Sequence, residues 1–276
     1  MWQEIKKLHR ETTLGAKEGI AFRYFSRPLA SFILYFIRSS RITPNQVTIA
    51  SLLVAVLGAV AFLAVISYAG LIIGGALFML AHVLDALDGQ LARHRKAGSE
   101  VGMHFDFFID EIKAYMVFVA IGLRLFFQHQ RGLEGFNLLS PFVDGFGTES
   151  VLLLTILGLA GLSIGISCTQ FLKLDSWKAT FPPKGPSSEG GSSSTSALAG
   201  VIALVEKAGK LVIDYPSYII LLCILDRVDL YFLLYTAAVC LYSLRALTSI
   251  AIKLWRIDPY RREAESSASV TPANRP

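Results

Sequence analysis

Four aspartates fall in one short stretch of the chain, DALDGQLARHRKAGSEVGMHFDFFID, residues 85–110. Asp85 and Asp88 are three apart, and Asp106 and Asp110 are four apart. Residues at those spacings share one face of a helix. Two antiparallel helices joined by the basic segment Arg93-His94-Arg95-Lys96 would bring the two faces together. Like charges gathered in this way repel unless a cation compensates them. A set of carboxylate oxygens is a hard donor set, suited to Mg2+ or Mn2+, and four of them have room for two ions. The residues between them point to a phosphate ligand. Gly89 lets a ligand approach the backbone beside Asp88. Ala92 keeps the same face small, and Arg93 offers a planar guanidinium to phosphate. Gly102 leaves space at the start of the second helix, and Ser99 supplies a hydroxyl in the connection.

The elements that carry these residues are membrane helices. The chain has 276 residues, of which 53% are hydrophobic and only 17% charged. A soluble domain carries about 25% charged residues. The apolar residues come in long runs, and a bilayer-spanning helix needs about 20 of them. Spans are expected at 42–66, 68–92, 101–127, 150–172, 212–225 and 230–254. A shorter apolar run at 25–37, with Pro28 near its start, reads as an interfacial helix. The fold class is therefore all-α, an integral membrane bundle of six transmembrane helices with an N-terminal interfacial helix. Loop charges support the count. Loops rich in Lys and Arg alternate with loops poor in them, so both termini and the aspartate cluster are expected on the cytoplasmic side of the (inner) cell membrane. The expected domains are a cytoplasmic arm over 1–41, a six-helix membrane domain over 42–256 and a disordered tail over 257–276. A flexible linker is expected at about 176–200, because the Ser/Gly/Pro-rich 182–200 buries too little apolar surface to offset its ordering entropy. A short amphipathic helix is expected over 197–210.

Other features exclude or weaken alternatives. The net charge of +5 is the usual Lys/Arg bias of membrane proteins, and its spread over loops argues against nucleic-acid binding. Cys168, Cys223 and Cys240 lie in apolar runs without CxxC spacing and read as packing residues. No cleavable signal pattern precedes the first span, so the N-terminus is expected to be retained. A carboxylate at the centre of a membrane helix costs about 2.5–3.5 kcal/mol. Asp106 and Asp110 are partly compensated if they open a helix, where the macrodipole favours negative charge. His82, three residues before Asp85, is either a partner of the carboxylates or an ordinary core histidine. Lys113 and Glu111 read as intrahelical or interface pairs, or as contacts to the acceptor. Arg124 and Arg245 either pair with acidic groups or meet an anionic acceptor. Trp177, Tyr231 and Trp255 read as interface aromatics.

The pattern Asp85-x2-Asp88-Gly89-x2-Ala92-Arg93-x8-Gly102-x3-Asp106-x3-Asp110 resembles the signature of the CDP-alcohol phosphotransferase family at each of its fixed positions. Thr43-Pro44-Asn45-Gln46-Val47-Thr48, at the start of the first span, is similar to the family's TPN-x-x-T motif. The resemblance covers about residues 23–256. It implies transfer of a phosphoalcohol group, often phosphatidyl, from a CDP-alcohol to a second alcohol with release of CMP. It further implies that Asp85, Asp88 and Asp106 hold metal, and that Asp110 also touches metal and serves as general base. Asn45, Gln46, Val47, Thr48, Gly89, Arg93 and Ser99 would bind the CDP moiety, and the enzyme would be a homodimer. Arg23-Tyr24-Phe25-Ser26-Arg27-Pro28 is similar to the N-terminal arm of the membrane domain of archaeal di-myo-inositol-phosphate-phosphate synthases. Those proteins often carry a fused cytidylyltransferase domain, for which residues 1–41 are too few. The expected partners are a CDP-diacylglycerol or CDP-polyol donor, membrane lipid, and a small alcohol or polyol-phosphate acceptor. A cation-coupled transporter is the competing reading, since aspartates also line ion pathways. Such sites are expected near the bilayer midplane, with matching halves; the cluster here is in one hairpin.

Overall fold

The structure is a computed structural model that describes residues 1–13, 22–133, 138–181 and 218–255. Of these residues 86% are helical, and no strand occurs among them. Two short helices come first, α1 (Trp2–Thr12) and α2 (Arg27–Ile37), the latter entered through a π-helical turn at Phe22–Ser26. The long helices are α3 (Pro44–Ala64), α4 (Tyr68–His94), α5 (Glu100–Gln130), α7 (Glu149–Lys173) and α10 (Val228–Trp255). Three short helices separate the later ones, α6 (Ser140–Phe146), α8 (Asp175–Thr180) and α9 (Ile219–Ile224).

Four of the long helices, α3, α4, α7 and α10, are long and apolar enough to cross a membrane. At about 1.5 Å per residue, even α3, with 21 residues, matches a hydrocarbon core of about 30 Å. The helix expected at 101–127 is present as the 31-residue α5 but is not among these four. It carries Asp106, Asp110, Glu111, Lys113 and Arg124 along its length. The span expected at 212–225 lies largely outside the described residues, of which α9 is the part observed. The described residues therefore support four spans; of the other two expected, one is the charged α5 and one is largely outside them. The run at 25–37 is helical as expected, with Pro28 in its first turn. The linker from 182 onward, the amphipathic helix at 197–210 and the tail at 257–276 lie outside the described residues. The first residues assigned to the linker are instead helical. α8 buries Trp177 between Phe171 and Phe181, with ring centroids 5.1 and 4.5 Å away.

Packing explains how the bundle holds the site. α3 and α4 form a tight hairpin. Gly74 makes this approach possible, since a Cβ there would lie 2.5 Å from the Phe62 ring. Phe62 in turn stacks on Phe78, 5.4 Å between centroids. The shared core continues through Phe118 on α5, which stacks on Phe232 of α10 at 5.2 Å and meets Tyr235 at 5.5 Å. Arg124, 1% exposed, closes the far end of the hairpin. Its guanidinium donates to the carbonyls of Phe62 and Val65 at 3.0 Å and of Ser67 at 2.7 Å. The Phe62 carbonyl lies in the last turn of α3, where carbonyls lack intrahelical partners, while those of Val65 and Ser67 also accept from the Ser67 and Leu71 amides, so Arg124 caps the end of α3 and ties it to the start of α4. Its hydrogen bonds are thus to backbone carbonyls, and the acidic group it feels is Asp226, in the turn before α10.

Candidate functional site

The site forms where α3 begins, α4 ends and α5 begins. Each of those ends is fixed locally. At α3 the Thr43 hydroxyl accepts from the Gln46 amide at 3.3 Å, and the Gln46 side chain accepts from the Thr43 amide at 2.9 Å. With Pro44 in the first turn, this reciprocal cap sets where the helix starts. Asn45 and Thr48, one turn apart, then face α4 and α5. The Thr48 hydroxyl donates to Asp88 Oδ2 at 2.5 Å. At α5 the Ser99 hydroxyl caps the helix by accepting from the Gly102 amide at 3.0 Å. The connection between α4 and α5 turns through Lys96, whose φ is 51°.

Between these ends lies a pocket of about 420 Å³, lined by residues of all three helices, among them Asn45, Thr48, Asp88, Arg93, Ser99 and Asp106. Gly89, Ala92 and Gly102 also line it. At its head one oxygen each of Asp85, Asp88 and Asp106 lies within 4.8 Å of the others. Asp88 is 4% exposed and Asp85 9%. Asp106 Oδ1 is buried and meets no hydrogen-bond donor among the described residues. Buried polar oxygens are nearly always satisfied. A carboxylate oxygen without a donor, beside two further carboxylates, fits a cation ligand. These residues therefore suit a hard divalent ion.

Asp110 is placed differently from the other three. Its Oδ1 pairs with Lys113 Nζ at 2.7 Å, and its side chain is 47% exposed. Lys113 itself is 5% exposed and also pairs with Asp85 Oδ1 at 2.5 Å. The intrahelical pair considered from sequence is present, and the same ammonium also reaches across to α4. This bridge is the main contact that sequence reasoning did not foresee. Its only signal was a lysine one turn after Asp110.

The expected nucleotide-contacting residues divide in two. Asn45, Thr48, Gly89, Arg93 and Ser99 line the pocket. Gln46 and Val47 do not. The Gln46 side chain is used in the helix cap. Val47, 5% exposed, packs with Leu34, Val83, Leu87 and Leu91. Helical periodicity accounts for the split, because 45 and 48 share a face from which 46 and 47 are rotated away. Gly89 has a specific use here. A Cβ at that position would lie 3.2 and 3.3 Å from the two terminal nitrogens of Arg93. The bare backbone lets the guanidinium lie flat against α4. Arg93 Nε donates to the carbonyl of Thr12 at 2.6 Å, so α1 helps hold it. α1 itself was not foreseen, although Ile5, Leu8 and Thr12 are spaced as one buried helix face.

Comparison with known proteins follows the same segment. The family model for CDP-alcohol phosphatidyltransferase matches residues 41–205, more than half of the chain. A curated protein of Thermococcus kodakarensis, described as a bifunctional IPC transferase and DIPP synthase, is 29% identical over 112 residues, 39% of this chain and 24% of that protein. Proteins with the same description from Archaeoglobus fulgidus and Aquifex aeolicus are each 26% identical over 124 residues. They are covered to 24% and 28% of their lengths, and this chain to 44% and 45%. The chain thus spans about a quarter of the length of the curated relatives it matches.

Proposed function

The chain belongs to the CDP-alcohol phosphatidyltransferase family, and from that premise we propose that it transfers a phosphoalcohol group, phosphatidyl in the first instance, from a CDP-alcohol to an acceptor hydroxyl with release of CMP. The observation that carries this reading is the convergence of three carboxylates, with oxygens within 4.8 Å, at the head of a pocket that also presents Arg93 and Thr48.

Asn45, Thr48, Gly89, Arg93 and Ser99 bind the CDP moiety, with the Arg93 guanidinium on the pyrophosphate. Asp85, Asp88 and Asp106 would hold a divalent ion, Mg2+ or Mn2+, which would supply neutralisation of the pyrophosphate charge. The acceptor hydroxyl oxygen attacks the β-phosphorus. Asp110 takes the hydroxyl proton, since one of its oxygens is held by Lys113 while its side chain remains half exposed. The bond between the β-phosphorus and the oxygen leading to the α-phosphate breaks, and CMP carries that electron pair away. The pocket opens at the ends of apolar helices. A donor with a lipid alcohol would seat its cytidine there and keep its chains in the bilayer. The resemblance of residues 23–28 to the di-myo-inositol-phosphate-phosphate synthases puts an inositol phosphate on the panel of acceptors to test.

The test is CMP release by purified protein with Mg2+ or Mn2+, CDP-diacylglycerol and a panel of acceptors: inositol 1-phosphate, glycerol 3-phosphate and serine. CDP-inositol is the alternative donor. CMP formation with one acceptor, abolished by chelator, is the expected result. No CMP from any donor–acceptor pair refutes the proposal.

A further inference from the structure

The groove between α1 and α2 takes no part in the transfer reaction, and its residues suit a ligand of a definite kind. It holds about 510 Å³, within the range of about 300–1,000 Å³ of small-molecule sites. Trp2, Pro28 and Phe32 form its apolar side, and Lys6, His9 and Arg10 its polar side. Lys6 and Arg10 are four residues apart on α1 and share one face. Two like charges at that spacing disfavour the helix unless an anion lies between them. The acids of α1 are engaged elsewhere. Glu4 pairs with Arg38 at 3.0 Å, and Glu11 lies 3.9 Å from Lys7. Among the described residues, neither Lys6 nor Arg10 is in an ion pair. The Lys6 ammonium lies over the Trp2 ring instead, 5.6 Å from its centroid, so charge and apolar surface adjoin.

The level of the groove identifies the anion. α2 runs beside the last turns of α4. Arg27 donates to the Ala86 carbonyl at 3.4 Å, the Ser31 hydroxyl to Gln90 Oε1 at 3.2 Å, and Arg95 to the Ser40 carbonyl at 2.7 Å. His9 Nδ1 meets the same Ser31 hydroxyl at 3.0 Å. The groove is thus level with Gln90, one turn before Arg93 and His94 end a helix long and apolar enough to cross a membrane. The polar headgroups of a bilayer lie at that level. Along its outer face α2 exposes Phe25, Leu29, Phe32 and Phe36, whose spacing makes one apolar stripe. A dissolved phosphate could use Lys6 and Arg10 but has no use for this stripe, whereas a lipid uses both. We propose that the groove binds an anionic phospholipid, with its phosphodiester between Lys6 and Arg10 and an acyl chain along Trp2 and Phe32. Thr12, at the end of α1, accepts from Arg93 Nε, so the lipid sits on the helix that holds Arg93.

The test reads lipid contact and not turnover. The protein is placed in phosphatidylcholine nanodiscs with increasing fractions of dibrominated phosphatidylglycerol, and in a parallel series with dibrominated phosphatidylcholine. Trp2 fluorescence is taken as the difference between wild type and Trp2→Phe, and the fraction of brominated lipid that gives half-maximal quenching is measured in each series. A basic residue at the membrane surface favours an anionic lipid about fivefold. With two of them, half-maximal quenching is expected at about 30-fold less phosphatidylglycerol than phosphatidylcholine. Lys6→Gln and Arg10→Gln are each expected to reduce that ratio about fivefold, and the double variant to abolish the preference. Equal half-points in the wild type overturn the proposal, because the groove would then merely border the bilayer. A ratio unchanged in the double variant also overturns it, since the preference would arise elsewhere. Absence of quenching by either lipid overturns it too, because Trp2 would lie clear of the membrane. None of these outcomes bears on CMP release, so the transfer reaction stands or falls separately.

Discussion

Replacing Asp110 with Asn is the perturbation that most directly tests the chemistry. The two side chains have nearly the same shape, and the Asn carbonyl oxygen can still accept from Lys113, which lies 2.7 Å from Asp110 Oδ1. Packing and the α4–α5 bridge are therefore expected to survive. The capacity to take a proton is lost. General-base removal costs about 10²–10⁴-fold in rate, which is about 3–5 kcal/mol of transition-state stabilisation at about 1.4 kcal/mol per decade. Donor affinity should change little, because the pocket that receives CDP is lined by Asn45, Thr48, Arg93 and Asp106 and does not include Asp110. The assay is kcat from CMP release, set beside the dissociation constant of a CDP ligand measured by calorimetry. A rate within about tenfold of wild type would remove Asp110 as the base, since that is less than general-base catalysis supplies. A loss of CDP binding parallel to the loss of rate would refute the placement of Asp110 outside the donor pocket.

Other expectations are narrower. Gly89→Ala puts a Cβ 3.2 Å from an Arg93 nitrogen; displacing one charge-assisted contact should raise KM for the donor about tenfold while the thermal unfolding midpoint holds. An unchanged KM would show that the guanidinium does not meet the donor. Arg124→Met removes a donor shared by three carbonyls, of which only that of Phe62 has no amide donor besides, and should destabilise the bundle by about 1–3 kcal/mol, read as a lowered unfolding midpoint in detergent; no shift would refute its role as a helix cap. Deleting residues 187–196, whose composition suits a loop, should leave kcat within roughly twofold, because loop length is thermodynamically inexpensive to change. A large loss would place that segment in the acceptor site.

Much of this protein was legible before any coordinates. The starts and ends of α3, α4, α5, α7 and α10 fall within three residues of the expected spans. Long apolar runs have few alternatives in a bilayer, where every backbone group must be satisfied within the segment. The aspartate faces were legible for the same kind of reason, since i, i+3 and i, i+4 spacing is a property of the helix alone. Short elements were not. α1, α6 and α8 have 11, 7 and 6 residues, and isolated helices of that length are marginal without tertiary support. α1 gets that support by burying Ile5 and Leu8 and by accepting a hydrogen bond from Arg93.

The local pattern by itself determined that a helix hairpin would gather carboxylates beside the basic Arg93 and the small Gly89 and Ala92. Tertiary structure alone decided how those carboxylates divide. Three converge at the pocket, while Asp110 is turned to Lys113, and that lysine spans α3, α4 and α5. Spacing along one helix says which residues share a face. It does not say how far two facing helices are rotated or slid against each other, and that is set by side chains such as Phe62, Phe78 and Phe118 packing at the other end of the bundle. An interhelical ammonium bridge depends on that rotation to within an ångström or so, because hydrogen bonds hold only over about 2.7–3.2 Å.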